Sequence, residues 1–126
     1  AWAHPEIMTQ AIIKARELAD FVVVLMHFGL EGEYPPTQQQ IEIAHRAIDS
    51  GALLVIGAHP HIIQPLEVYK NGLIAYSLGN FVFDGFTGSA NQSAILHVTL
   101  STSGIESYRL IPVEIDTKGF PNLVSP

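Results

Sequence analysis

Two histidines separated by one proline, His59-Pro60-His61, are the residues whose types and spacing point most directly to chemistry. Neutral imidazole is a common ligand for zinc, manganese or iron. Residues i and i+2 of an extended segment point the same way, and Pro60 removes much of the backbone freedom between them, so the spacing predicts a rigid ligand pair. Gly57 is expected to let the chain turn tightly just before it. His27, at the end of the apolar run Phe21 to Met26, is the expected third ligand. The remaining histidines read differently. His45 lies in helical sequence between Ala44 and Arg46 and is expected to face solvent, and His4 and His97 are read as structural. The chain has no cysteine, which removes thiolate ligands, thiol nucleophiles and disulfides together. Ser77 lies close to a glycine, but no G-x-S-x-G elbow surrounds it, so the sequence does not carry a serine-hydrolase signature.

The elements that must position these residues follow from periodicity. After His4-Pro5-Glu6, apolar residues at Ile7, Met8, Ala11, Ile12, Ala15, Leu18 and Ala19 recur at helical spacing and predict a helix with one buried face. Phe21 to Met26 is a continuous β-branched and apolar run, expected as a strand buried on both faces. A loop of glycine, proline and acids from Phe28 to Pro36 leads to Thr37 and Gln40, a capping box. The helix that starts there buries Ile41, Ala44 and Ile48 and stops at Ser50-Gly51. Ala52 to Ile56 is a second buried strand. Strand, crossover helix and strand form a βαβ unit, so the two strands should be parallel neighbours about 5 Å apart. Their exit loops carry His27 and the His59/His61 pair, at the end of the sheet where ligands collect. Beyond them, Leu66 to Tyr69, an Asn71-Gly72 turn and Leu73 to Ser77 predict a hairpin. Strands at Ala94 to Leu100 and Ile105 to Ile115 flank a turn at Ser101 to Gly104, and Gly85 to Asn91 reads as a mobile loop.

The fold class is therefore α/β, a βαβ unit followed by antiparallel strands. At 126 residues the chain is a single domain or a domain fragment. Twelve acidic against six basic side chains, with no Lys/Arg stripe, argue against a nucleic-acid partner and favour a cationic cofactor. No apolar run approaches the roughly twenty residues of a membrane span. The opening Ala1-Trp2-Ala3-His4 shows no targeting signal and reads as the start of an excised piece.

Three segments in order, VVVLMHFGLE, GAHPH and YSLGNFVFD, closely resemble poly-gamma-glutamate capsule biosynthesis proteins of the CapA type, of the calcineurin-like metallophosphoesterase superfamily. The resemblance spans Phe21 to Asp84. It implies that His27 is the lone histidine ending a central strand, that His59 and His61 are the closing GHxH pair, and that all three bind metal. An acid at the position of Glu31 belongs to the resemblance, which leaves Glu31 open as a further contact, whereas Glu33 reads as solvated. Gln64 and Glu67 match polar positions that support the site, and Asn80 is read as a turn former facing it. The implied fold is an α/β/β/α sandwich, of which this chain holds the second half. The family's earlier ligands (an Asp-bearing GD motif, another acid, an Asn-His pair) have no counterpart here. The resemblance thus implies two divalent ions (Mn, Zn or Fe) in the full-length protein and one or none on this chain, which alone should be a poor catalyst. It also implies a place in capsule synthesis at the bacterial cell surface, membrane-associated. The expected partners are an anionic polymer or phosphoester, the missing N-terminal half or a second copy, and membrane synthase components. A noncatalytic module that keeps the fold and binds polymer or synthase is the alternative.

Overall fold

A computed structural model describes residues 4–83 and 87–124. Asp84 and the start of the expected 85–91 loop lie outside them; its end, Gly88–Asn91, is one turn of 3-10 helix. The first helix, α1, spans Pro5–Arg16, with Pro5 in the first turn, Glu6 beside it and Lys14 and Arg16 in the last turn, a charge order that complements the helix dipole. It is shorter than its periodicity predicts. The Arg16 guanidinium reaches over the last turn to the carbonyls of Ala19 and Asp20, and Leu18 is left exposed. Of the predicted apolar face, Ile12 is buried and Met8 and Ala15 pack against the core, whereas Ile7 points outward.

The predicted βαβ unit is present: β1 (Val23–His27), α2 (Gln38–Asp49) and β2 (Leu54–Ala58). The two strands are parallel and adjacent, with His27 opposite Ala58. The capping box of α2 is complete: the Thr37 hydroxyl accepts from the Gln40 amide at 3.2 Å and the Gln40 side chain accepts from the Thr37 amide at 2.9 Å. Next come β3 (Leu66–Tyr69) and β4 (Gly72–Ala75), an antiparallel hairpin that joins β2 through a parallel β2–β4 pairing, giving the order β1-β2-β4-β3. Tyr69 pairs with Gly72, so the turn residues are Lys70 and Asn71 rather than Asn71 and Gly72, and Lys70 takes φ 54°. Gly72 belongs to the strand for a steric reason: a Cβ there would lie 2.5 Å from Ile48 Cδ1 on α2.

The core lies between the helices and one face of this sheet, built from Ile12, Val22, Ala44, Ala47, Ile48, Val55, Ile74 and Tyr76. Along β1, side chains alternate. Val24 and Met26 pack on the core, but Val23 and Leu25 are exposed, Leu25 to 76%. The expectation of a strand buried on both faces is corrected here: β1 is an edge strand, and its second apolar face is uncovered among the described residues.

A second, antiparallel sheet contains β5 (Gln92–Ser101), β6 (Gly104–Ile115) and β7 (Pro121–Leu123), in that order. The third strand was not evident from sequence. Asp116 sets it up: its carboxylate accepts from the Lys118 and Phe120 amides, which hold its pKa below the ordinary value, and the turn returns the chain onto β6. The sheets connect through a Gly79–Ser93 bridge. No helix among the described residues is long and apolar enough to cross a membrane.

Candidate metal centre

His27 is the last residue of β1, and His59 and His61 follow β2, so the parallel pairing brings all three to one end of the sheet. The His27 and His59 ring centroids are 4.7 Å apart, and those of His59 and His61 are 6.1 Å apart. The tightest potential ligand set is Glu31, His59 and His61, whose ligand atoms all lie within 4.8 Å of one another. His27 stands beside this set rather than in it. Two imidazoles and a carboxylate form a donor set that suits one divalent ion of the zinc, manganese or iron kind.

The backbone of the pair differs from the extended geometry expected. His59 has φ 104° and His61 φ 60°, so both lie in the left-handed region on either side of buried Pro60. Such a conformation costs on the order of 1 kcal/mol or more per non-glycine residue and persists only where the surroundings impose it. Those surroundings are visible. The Gly32 amide donates to the Pro60 carbonyl at 2.9 Å, the Phe28 amide donates to the Ala58 carbonyl at 3.0 Å, and Asn80 holds His61. Gly57 also acts differently from expectation. It is a β2 residue whose absent side chain admits the backbone just past β4, because a Cβ would meet the Tyr76 carbonyl oxygen at 2.0 Å.

Asn80 is buried, with its amide oxygen 2.7 Å from His61 Nδ1 and an edge-on Phe83 ring 5.3 Å from the His61 ring. Gln64 is 1% exposed. Its Nε2 donates to the Glu33 carbonyl at 2.8 Å, and its Oε1 accepts from Gln40 Nε2 at 2.9 Å. It supports the loop that carries Glu31 rather than the histidines. Gln40 therefore belongs to the same support, through a tertiary contact that its capping position alone does not reveal. Gly29, at φ 102°, completes the loop, and a Cβ there would collide with the Gln40 amide at 2.7 Å.

Glu67 lies elsewhere. Its carboxylate is 2.9 Å from His45 Nε2 and accepts from the Tyr76 hydroxyl at 2.6 Å. Burial opposes its charge, but the hydrogen bonds from Tyr76 and His45 together outweigh that and hold its pKa below 4.5. Burial, with the neighbouring carboxylate, raises the Tyr76 phenol above 10.0. His45 is accordingly not a solvent-facing residue: its ring stacks on Tyr69 at 3.7 Å, 5° from parallel, and ties α2 to β3. Ser77 is buried and accepts from the Gly79 amide, a turn role.

The family described as Bacterial capsule synthesis protein PGA_cap matches residues 1–85. The chain is 39% identical over 113 residues to the PGA biosynthesis protein CapA of Bacillus subtilis, covering 90% of this chain and 30% of that protein. It is 36% identical over 126 residues to the capsule biosynthesis protein CapA of Bacillus anthracis, covering 97% of this chain and 30% of that protein. A probable polyglutamine synthesis accessory protein of Mycobacterium tuberculosis is 25% identical over 112 residues. The chain thus spans about 30% of the length of the curated relatives it matches.

Proposed function

Because this chain belongs to the bacterial capsule synthesis protein family, we propose that it is a polymer-handling module of a capsule biosynthesis protein. It holds one divalent cation on Glu31, His59 and His61 and engages the carboxylates of an anionic polymer such as poly-gamma-glutamate, without catalysis of its own. The observation that carries this reading is the one ligand set found among the described residues, two histidines and one acid. A partly coordinated cation at the open end of a sheet supplies charge to bind carboxylates. The net charge of −6 would otherwise repel such a polymer, which makes the cation necessary for binding. The reading places the full-length protein at the bacterial surface, beside membrane synthase components.

A second reading is favoured by one observation, the His27 ring 4.7 Å from His59 at the end of the neighbouring parallel strand. In it the full-length protein is a calcineurin-like metal-dependent phosphoesterase, with the remaining ligands supplied by the rest of the protein. A metal pair there supplies water activation and charge stabilisation.

Metal analysis of the full-length protein, calorimetric titration with poly-gamma-glutamate and a chromogenic phosphodiester assay separate the two. The module reading expects one ion per chain, polymer binding abolished by chelator and by His59→Ala, and no turnover. Two ions with turnover that His59→Ala removes select the phosphoesterase. Polymer binding indifferent to chelator sinks the module reading.

A further inference from the structure

Asn80 is 6% exposed, and its side-chain amide is saturated in only one orientation. Nδ2 donates to the His61 carbonyl at 3.3 Å and to the Ala90 carbonyl at 3.1 Å. Both partners can only accept, so the donor end of the amide belongs there and the oxygen faces His61 Nδ1 at 2.7 Å. A flipped amide would press its oxygen against two carbonyl oxygens. The amide oxygen carries no proton, so the ring nitrogen facing it must donate. In a neutral imidazole with Nδ1 protonated, the lone pair is on Nε2.

We propose that Asn80 is a positioning residue that selects the ligating nitrogen of His61: it fixes the Nδ1–H tautomer and makes Nε2 the atom that meets a metal ion. The proposal rests on the reading of Glu31, His59 and His61 as a cation site and adds which atom binds and what enforces it. Free imidazole side chains favour the opposite tautomer, so this choice is imposed by the fold. The same amide also grips the His61 carbonyl and thereby steadies the left-handed backbone at φ 60°. One side chain orients the ring and the main chain together.

The elements that place Asn80 explain how the fold provides this. Chain leaving β4 turns at Gly79, φ 78°, where a Cβ would lie 2.7 Å from the Gln92 carbonyl oxygen and only glycine allows the approach. The bridge from Gly79 to Ser93 then brings the 3-10 turn Gly88–Asn91, with its Ala90 carbonyl, over the Asn80 amide.

The test is a tautomer measurement on the full-length, metal-free protein labelled with 15N-histidine, at a pH where the rings are neutral. The His61 signals are assigned by their absence in His61→Gln. A pyrrole-like shift at Nδ1 and a pyridine-like shift at Nε2 are expected. Asn80→Leu should mix the tautomers and weaken zinc binding by roughly tenfold to a hundredfold, the range typical of lost outer-shell partners. A wild-type Nε2–H tautomer overturns the proposal, and so does an unchanged tautomer in Asn80→Leu. The wild-type spectrum is decisive even where the variant does not fold. A wild-type Nδ1–H tautomer together with no zinc binding supports the role of Asn80 and defeats the cation-site reading instead.

Discussion

At the scale of the residue, the carboxylate of Glu67 has a defined energetic role. Its folded pKa is lowered, so the folded chain binds the proton less readily than the unfolded one. The stabilisation is complete above the ordinary carboxylate range and is lost as pH falls through the folded value. Glu67→Gln should flatten the acid limb of the stability curve between about pH 5 and pH 3, read from urea midpoints across that range. An acid limb as steep as wild type would show that the Tyr76 and His45 contacts do not form. That role was not legible in the sequence, which placed Glu67 near the histidine pair because it follows closely in the chain. Position 67 lies on a strand whose alternate faces look in opposite directions, and register alone decides which side its carboxylate serves. His45 departs from its expected solvent-facing place for a related reason. Helical spacing reports the polarity of neighbours on one helix and not the Tyr69 ring arriving from β3.

At the scale of the element, the loop between β1 and α2 is fastened from beneath by buried amides. Gln64 joins Gln40 on one side and the Glu33 carbonyl on the other. Gln64→Leu strands the buried Gln40 amide and also removes the part-buried contact to the Glu33 carbonyl, and should cost about 1–3 kcal/mol, the range for one unsatisfied buried group. Removing Gln40 as well eliminates that stranded group. The Gln40→Leu/Gln64→Leu pair should therefore cost less than the sum of the single variants in chemical denaturation. Strict additivity would refute the linkage. Much of this region could be read in advance: the β-branched runs, the capping box and the glycine stop define strand, helix and strand, and the βαβ rule places His27 beside the pair. The amide relay could not, since Gln40 and Gln64 are 24 residues apart and each is polar in a stretch that reads as loop or helix surface. The left-handed backbone at His59 and His61 was also hidden, because the preference of non-glycine residues for negative φ argues against it.

At the scale of the whole molecule, the sheet has an apolar second face that the described residues leave open at β1, where Val23 and Leu25 meet solvent along an unpaired edge. Long apolar edge strands without lysine, proline or a bulge are templates for further pairing. This chain alone should self-associate at micromolar concentration, and Leu25→Lys should shift it toward monomer in light scattering. A wild-type chain that stays monomeric would mean that the face tolerates water. Sequence periodicity implied burial on both faces, whereas the described residues cover only one.

The Ala90 carbonyl that turns the Asn80 amide lies beyond residue 85, where the match to the family ends. A chain cut there would keep the residues matched to the family and lose the Ala90 acceptor of the Asn80 amide. The stretch matched to the family is thus shorter than the stretch that holds the Asn80 amide in place.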